Sequence, residues 1–121
     1  MRGSIRDSAL CEKSLNFAVR VVKFYKYLCD EKKEFVLSKQ VLRSGTSIGA
    51  NIRESRSAQS NADFQSKLNI ALKEADETQY WLDLLRLSEI ISEESYQSLN
   101  NDINELISML VSAIKTLKSK S

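Results

Sequence analysis

The sequence predicts an all-α protein: an up-down-up-down antiparallel four-helix bundle forming a single domain over residues 1–121. Three observations predict it. The 121-residue chain has no proline and only three glycines, which removes the usual turn punctuation of strand-rich folds. Four long segments repeat apolar residues at alternating spacings of four and three, which gathers them on one face of a helix. The links between these segments are short, and short links between long helices force antiparallel neighbours.

The first helix is predicted within residues 5 to 32 and carries two seams. Cys11, Leu15, Ala18, Val22, Tyr25 and Cys29 keep a strict 4-3-4-3-4 spacing, and Leu10, Ser14, Phe17, Val21, Phe24 and Leu28 run beside them. Two adjacent seams make a wide apolar arc, as expected of a helix that meets several bundle partners or also a second subunit. Its polar face holds Lys13, Arg20, Lys23 and Lys26, and the charged cluster Asp30 to Glu34 is predicted as the first connection.

The second helix is predicted from Phe35 to Ser57. Val41, Gly45, Ile48 and Ile52 share one face, and Gly45 and Gly49 lie one turn apart. Each glycine costs roughly 1 kcal/mol against alanine inside a helix. Two of them, among Ser44, Thr46 and Ser47, therefore predict a backbone approached very closely by another element. The segment Gly45, Ser47, Ile48, Gly49, Asn51, Ile52 and Glu54 reads as a structural or interface motif. Asn51 and Glu54 are expected to fix helix register through buried or interfacial hydrogen bonds to backbone, hydroxyls or an arginine such as Arg43, with Glu74 and Glu77 also bordering an interface.

A turn is predicted near Ala58 to Asn61, with Ser60 and Asp63 spaced as a capping box for the third helix. Phe64, Leu68, Ala71, Ala75, Thr78, Leu82 and Leu85 form that helix's seam, widened by Ile70, Trp81 and Leu84. Tyr80 and Trp81 read as core or subunit-contact residues rather than platforms for base stacking. Ser92 is predicted to cap the last helix. Glu93 and Glu94 sit in its first turn and Lys115, Lys118 and Lys120 near its end, as the helix dipole favours. Its seam is Tyr96, Leu99, Ile103, Leu106, Leu110, Ala113 and Leu117.

Composition narrows the chemistry. The chain has no histidine, so histidine general-base catalysis and histidine-ligated metal sites are excluded. Carboxylate pairs in bundles hold metals with a Glu-x-x-His partner, which is missing here, so no enzymatic activity, cofactor or metal is expected. Cys11 and Cys29 lie on one helix about 27 Å apart, beyond disulfide reach, and are expected to be buried reduced thiols. No long apolar run or signal-peptide core is present, which predicts a cytoplasmic protein without a membrane partner.

Net charge is +2, unevenly placed: residues 1 to 60 hold 12 Lys and Arg against 6 Asp and Glu, and residues 61 to 121 hold 6 against 10. Such asymmetry marks either a nucleic-acid surface or basic helices pairing with acidic ones, within the bundle or across subunits.

The runs R-S-G-T-S-I-G-A-N-I-R-E-S and A-D-F-Q-S-K-L-N-I-A-L-K-E-A-D-E-T-Q-Y-W-L, with F-A-V-R-V-V and E-F-V-L-S-K-Q upstream, resemble a bacterial family. Its members are four-helix-bundle proteins encoded in intervening sequences of large-subunit ribosomal RNA genes, often described as ribosomal-protein-like. The most specific part is S-I-x-x-N-I-x-E at Ser47 to Glu54; Ser55 stands where many relatives have glycine. The resemblance implies a ring-like homopentamer. It also implies similarity to the pentameric accessory proteins of diversity-generating retroelements, which bind nucleic acid and a reverse transcriptase.

Arg6, Lys13, Arg20, Lys23, Lys26, Arg53 and Arg56 are the candidate nucleic-acid contacts, for RNA or DNA. The competing reading of the same residues is a solvated helix face, or one that docks an acidic protein such as a nucleic-acid-processing enzyme. In a pentamer even a modest patch is repeated around one axis, which raises its combined affinity.

Overall fold

A computed structural model describes the backbone of residues 5–120 and the side chains of residues 9–119. Four helices follow in order: α1 (Ile5–Asp30), α2 (Leu37–Ser55), α3 (Asn61–Leu87) and α4 (Glu93–Lys120). Each packs on its two neighbours, α1 on α2, α2 on α3, α3 on α4 and α4 back on α1, so α1 and α3 are diagonal, as are α2 and α4. The seam between α1 and α4 is the loosest of the four. No helix among the described residues is long and apolar enough to cross a membrane.

The seams predicted for α3 and α4 form the core, with Leu117 alone left partly exposed. In α1 only the second stripe turns inward: Leu10, Ser14, Phe17, Val21, Phe24 and Leu28 are all buried. The first stripe lies along the edge facing α2 and is partly open to solvent.

Helix ends follow their caps. Ser60 accepts the Asp63 amide at 3.1 Å and the Asp63 carboxylate reaches back to the Gln59 amide at 3.3 Å, a capping box displaced by one residue. Ser92 caps α4 through the Ser95 amide at 3.1 Å. The α2 start lies two residues after the expected Phe35: the Glu34 carboxylate gathers the amides of Val36, Leu37 and Ser38 at 2.7–3.2 Å. That carboxylate supplies both the acceptors and the negative charge a helix N-terminus favours, so α2 begins at Leu37. The helix ends at Ser55, whose buried hydroxyl turns back on the Ile52 carbonyl at 2.6 Å.

The two glycines of α2 lie against α1. A methyl group at Gly45 would stand 2.8 and 2.9 Å from the two γ-carbons of Val21. At Gly49 it would meet the Ser14 hydroxyl at 3.3 Å. On the other side of α2, Ser44 is fully buried and accepts a 2.8 Å hydrogen bond from the buried Thr78 hydroxyl of α3, a polar contact set within the core between those helices.

Two stability measurements test this packing. Gly45→Ala is expected to lower the unfolding free energy by about 1–3 kcal/mol in urea titration, against the gain in helix propensity, because β-branched Val21 is stiff; Gly49→Ala should be milder. Thr78→Val, which leaves the Ser44 hydroxyl without its partner, should cost about 1–3 kcal/mol, and the Ser44→Ala/Thr78→Val pair should recover much of it.

Candidate nucleic-acid interface

The cations expected to share one face fall into separate groups. Lys13 Nζ lies 2.6 Å from Glu105 and 4.0 Å from Asp102, both on α4. The hydrogen bond to Glu105 leads in raising the Lys13 pKa above its ordinary value, with the charges of Glu105 and Asp102 adding to it. Two turns along α1, Arg20 meets Asp102 at 2.6 Å and donates to the Ser98 carbonyl at 3.2 Å and hydroxyl at 2.8 Å. Lys13 and Arg20 are thus cross-helix ties over the loosest seam, a correction to their reading as free phosphate contacts. Sequence could not show this because the partners lie 78 or more residues away.

Lys23 and Lys26 are exposed toward the C-terminal end of α1 and form no ion pair among the described residues. Lys23 borders a groove of about 620 Å³ between α1 and α4, with Arg20, Phe24, Tyr27, Glu94 and Ser98 in its walls. Tyr27 stacks on Phe24 with ring centroids 6.4 Å apart, and the Lys32 ammonium stands 5.9 Å from its ring centre.

Arg53 and Arg56 lie at the C-terminal end of α2, which the antiparallel path carries to the opposite end of the bundle. Arg53 shares a groove of about 280 Å³ with Cys11 and Leu15, and Lys26 stands fifteen residues beyond Cys11, about 22 Å along α1. Glu54, the carboxylate between these arginines, is engaged by Lys67 of α3 at 3.2 Å, and both arginines remain exposed without an ion pair among the described residues. Lys39 is exposed on the same side of α2 as Arg53 but stands fourteen residues before it, about 21 Å back along the helix, at the end of the bundle that carries Lys23 and Lys26. It was overlooked in the sequence although that spacing was visible. Arg6 lies outside the described side chains.

The motif around Gly45 is divided between roles. Gly45, Ile48 and Ile52 face the core and Gly49 lies half-buried against Ser14. Ser47 donates to the Arg43 carbonyl at 2.6 Å and Asn51 to the Ser47 carbonyl at 2.9 Å, both within α2. Among the described residues Asn51 bonds only within α2 and does not set register as expected, whereas Glu54 ties α2 to α3 through Lys67. Arg43 adds a second tie, binding Glu74 at 3.4 Å and Glu77 on α3, while Glu77 also accepts the Trp81 indole N–H at 3.2 Å. Side-chain reach decides this: an arginine spans to α3 where an asparagine cannot.

Two apolar faces stay open to solvent. On α1, Leu15, Val19 and Val22 are 51, 48 and 39% exposed, beside the small α2 residues Thr46, Gly49 and Ala50. Cys11 and Cys29 belong to this edge; they are free thiols and only half-buried, not core residues as expected. On α3, Tyr80 and Leu87 are 58 and 74% exposed, with Ile70 and Leu84 alongside. Tyr80 packs edge-on to Trp81 with ring centroids 5.0 Å apart. Among the described residues no three His, Cys, Asp or Glu side chains gather as a metal site.

Comparison with known proteins gives two results. Residues 6–112 match the family model described as 23S rRNA-intervening sequence protein. The chain is also similar to a crystal structure from Bacteroides thetaiotaomicron VPI-5482, that of a protein with unknown function from the S23 ribosomal protein family. The two share 61% identity over 92% of this chain and 99% of that one, with a TM-score of 0.90. Among curated proteins no match is found.

Proposed function

The chain belongs to the 23S rRNA-intervening sequence protein family, and we propose that it is a non-enzymatic, self-assembling helical scaffold, a homopentamer, that binds RNA or DNA through cations of α2. The observation that carries the nucleic-acid part is the position of Arg53 and Arg56. They stand without a carboxylate partner among the described residues, because Glu54 is held by Lys67. Lys39 extends the same side of the helix. Contacts of this kind reach phosphates regardless of sequence, and assembly repeats them around an axis. The self-assembly part is supported by the two exposed apolar faces, since scattered single apolar residues are ordinary on a surface but continuous stripes mark contact sites.

Light scattering is expected to give five times the 13.8 kDa protomer mass. In gel-shift titrations the protein is expected to bind RNA or DNA at about 50 mM salt and to release it steeply as salt rises. Arg53→Ala/Arg56→Ala should weaken binding by about tenfold and flatten the salt slope, whereas Lys13→Ala should leave it nearly unchanged. No shift at low salt contradicts the nucleic-acid reading and points to an acidic protein partner for the same cations.

A further inference from the structure

We infer that the groove between α1 and α4 holds one unpaired nucleotide of a single-stranded RNA or DNA, with its base against Tyr27 and its phosphate at Lys23. The site is separate from Arg53 and Arg56 and lies at the other end of the bundle. It rests on the proposed function for its ligand class, nucleic acid, and on no feature of assembly.

Tyr27 and Lys23 bring a ring and a free cation to one wall. The groove encloses about 620 Å³, within the range of roughly 300–1,000 Å³ typical of small-ligand sites. Tyr27 is 38% exposed there, and the buried Phe24 backs its ring with centroids 6.4 Å apart, which holds the platform in place. The Lys32 ammonium stands 5.9 Å from the Tyr27 ring centre on a flexible stem that can yield the ring to a base. Lys23, four residues before Tyr27 and so beside it on the helix surface, has no ion pair among the described residues. An aromatic platform next to an unpaired cation is the combination that takes up a base together with its phosphate. Neither the groove around Cys11 nor the one around Met109 has an aromatic ring in its walls.

Charge is sorted across the groove. On the α4 side Asp102 is taken up by Arg20 and Lys13, while Glu94 lines the wall with no ion pair among the described residues. A phosphate is therefore steered to the α1 side, where the exposed Lys26 follows Lys23 one turn on. The α4 side suits a base edge instead. Glu94 can only accept, as the exocyclic amine of cytosine or adenine requires, whereas the carbonyls of uracil and thymine repel it. The Ser98 hydroxyl accepts from Arg20 at 2.8 Å and keeps its own hydrogen for an acceptor on that edge. A duplex holds its bases stacked inside and could offer this groove phosphates alone, so the ligand is single-stranded.

Fluorescence anisotropy with labelled oligonucleotides of about 12 residues tests the site in the full chain at about 50 mM salt. Oligocytidine, as RNA or DNA, should bind at least about threefold tighter than oligouridine or oligothymidine, and Glu94→Ala should remove that preference. Tyr27→Ala should weaken oligocytidine binding at least about fivefold and a duplex of equal length by less than about twofold, while Tyr27→Phe keeps the unmodified affinity. Both positions are exposed, so helicity by circular dichroism should not change. Lys23→Ala, at a solvent-facing side chain, is the second variant and should cost oligocytidine at least about threefold. Unchanged oligocytidine binding in Tyr27→Ala or in Lys23→Ala overturns the groove site, as does an oligoglutamate of equal length that binds as tightly, because the groove would then serve an acidic protein. The α2 reading fails separately, when Arg53→Ala/Arg56→Ala leaves duplex binding unchanged.

Discussion

The approach of α1 to the backbone of α2 at Gly45 governs the spacing of the whole bundle. Val21 lies where a side chain at position 45 would begin, so the helices can come together only because glycine has none there. Once α1 is seated, the opposite side of α2 is fixed too. Ser44, one residue before the contact, is delivered to Thr78 of α3 in a dry part of the core, and an unmatched hydroxyl in that position is costly, which leaves one register for α2 against α3. The same contact determines what stays outside. With Leu10, Ser14, Phe17 and Val21 turned inward, the parallel stripe through Leu15 and Val22 cannot also be buried.

Charge then divides the surface. The basic excess of the first half of the chain and the acidic excess of the second become two sides of one molecule, because α1 and α2 are neighbours and so are α3 and α4. Part of the excess cancels inside the protomer. Lys13 and Arg20 hold α4, and Arg43 holds α3, each at a half-exposed position where one ion pair contributes little but a network adds orientation. What is left over is concentrated on α2 and at the end of α1. Under the proposed function, assembly and nucleic-acid contact would draw on different residues: the apolar stripes for one, Arg53 and Arg56 for the other.

Most of the fold was legible in the sequence because helical period is a local property. The α3 seam from Phe64 to Leu85 and the α4 seam from Tyr96 to Ala113 are buried residue for residue as their spacing predicted. The choice between the two seams of α1 was not legible, since both are apolar at the same period and only the facing helices decide. The candidate site was read less well. Lys13 and Lys23 look alike in sequence, yet one is neutralised across the bundle and the other is not, and that difference depends on residues on a helix far along the chain. The part played by Asn51 was not legible for a similar reason: its place in a distinctive motif says nothing about how far its side chain reaches.

A double-mutant cycle between Gly45 and Val21 tests the governing contact most directly. Unfolding free energies are measured for the unmodified chain, Gly45→Ala, Val21→Ala and the pair. If the close approach is what position 45 serves, Val21→Ala opens the space the new methyl needs, and the two changes together should destabilise by at least about 1 kcal/mol less than the sum of the singles. Additive effects, within about 0.5 kcal/mol, would contradict the account, because the glycine would then act on α2 alone and not through the helix packed against it.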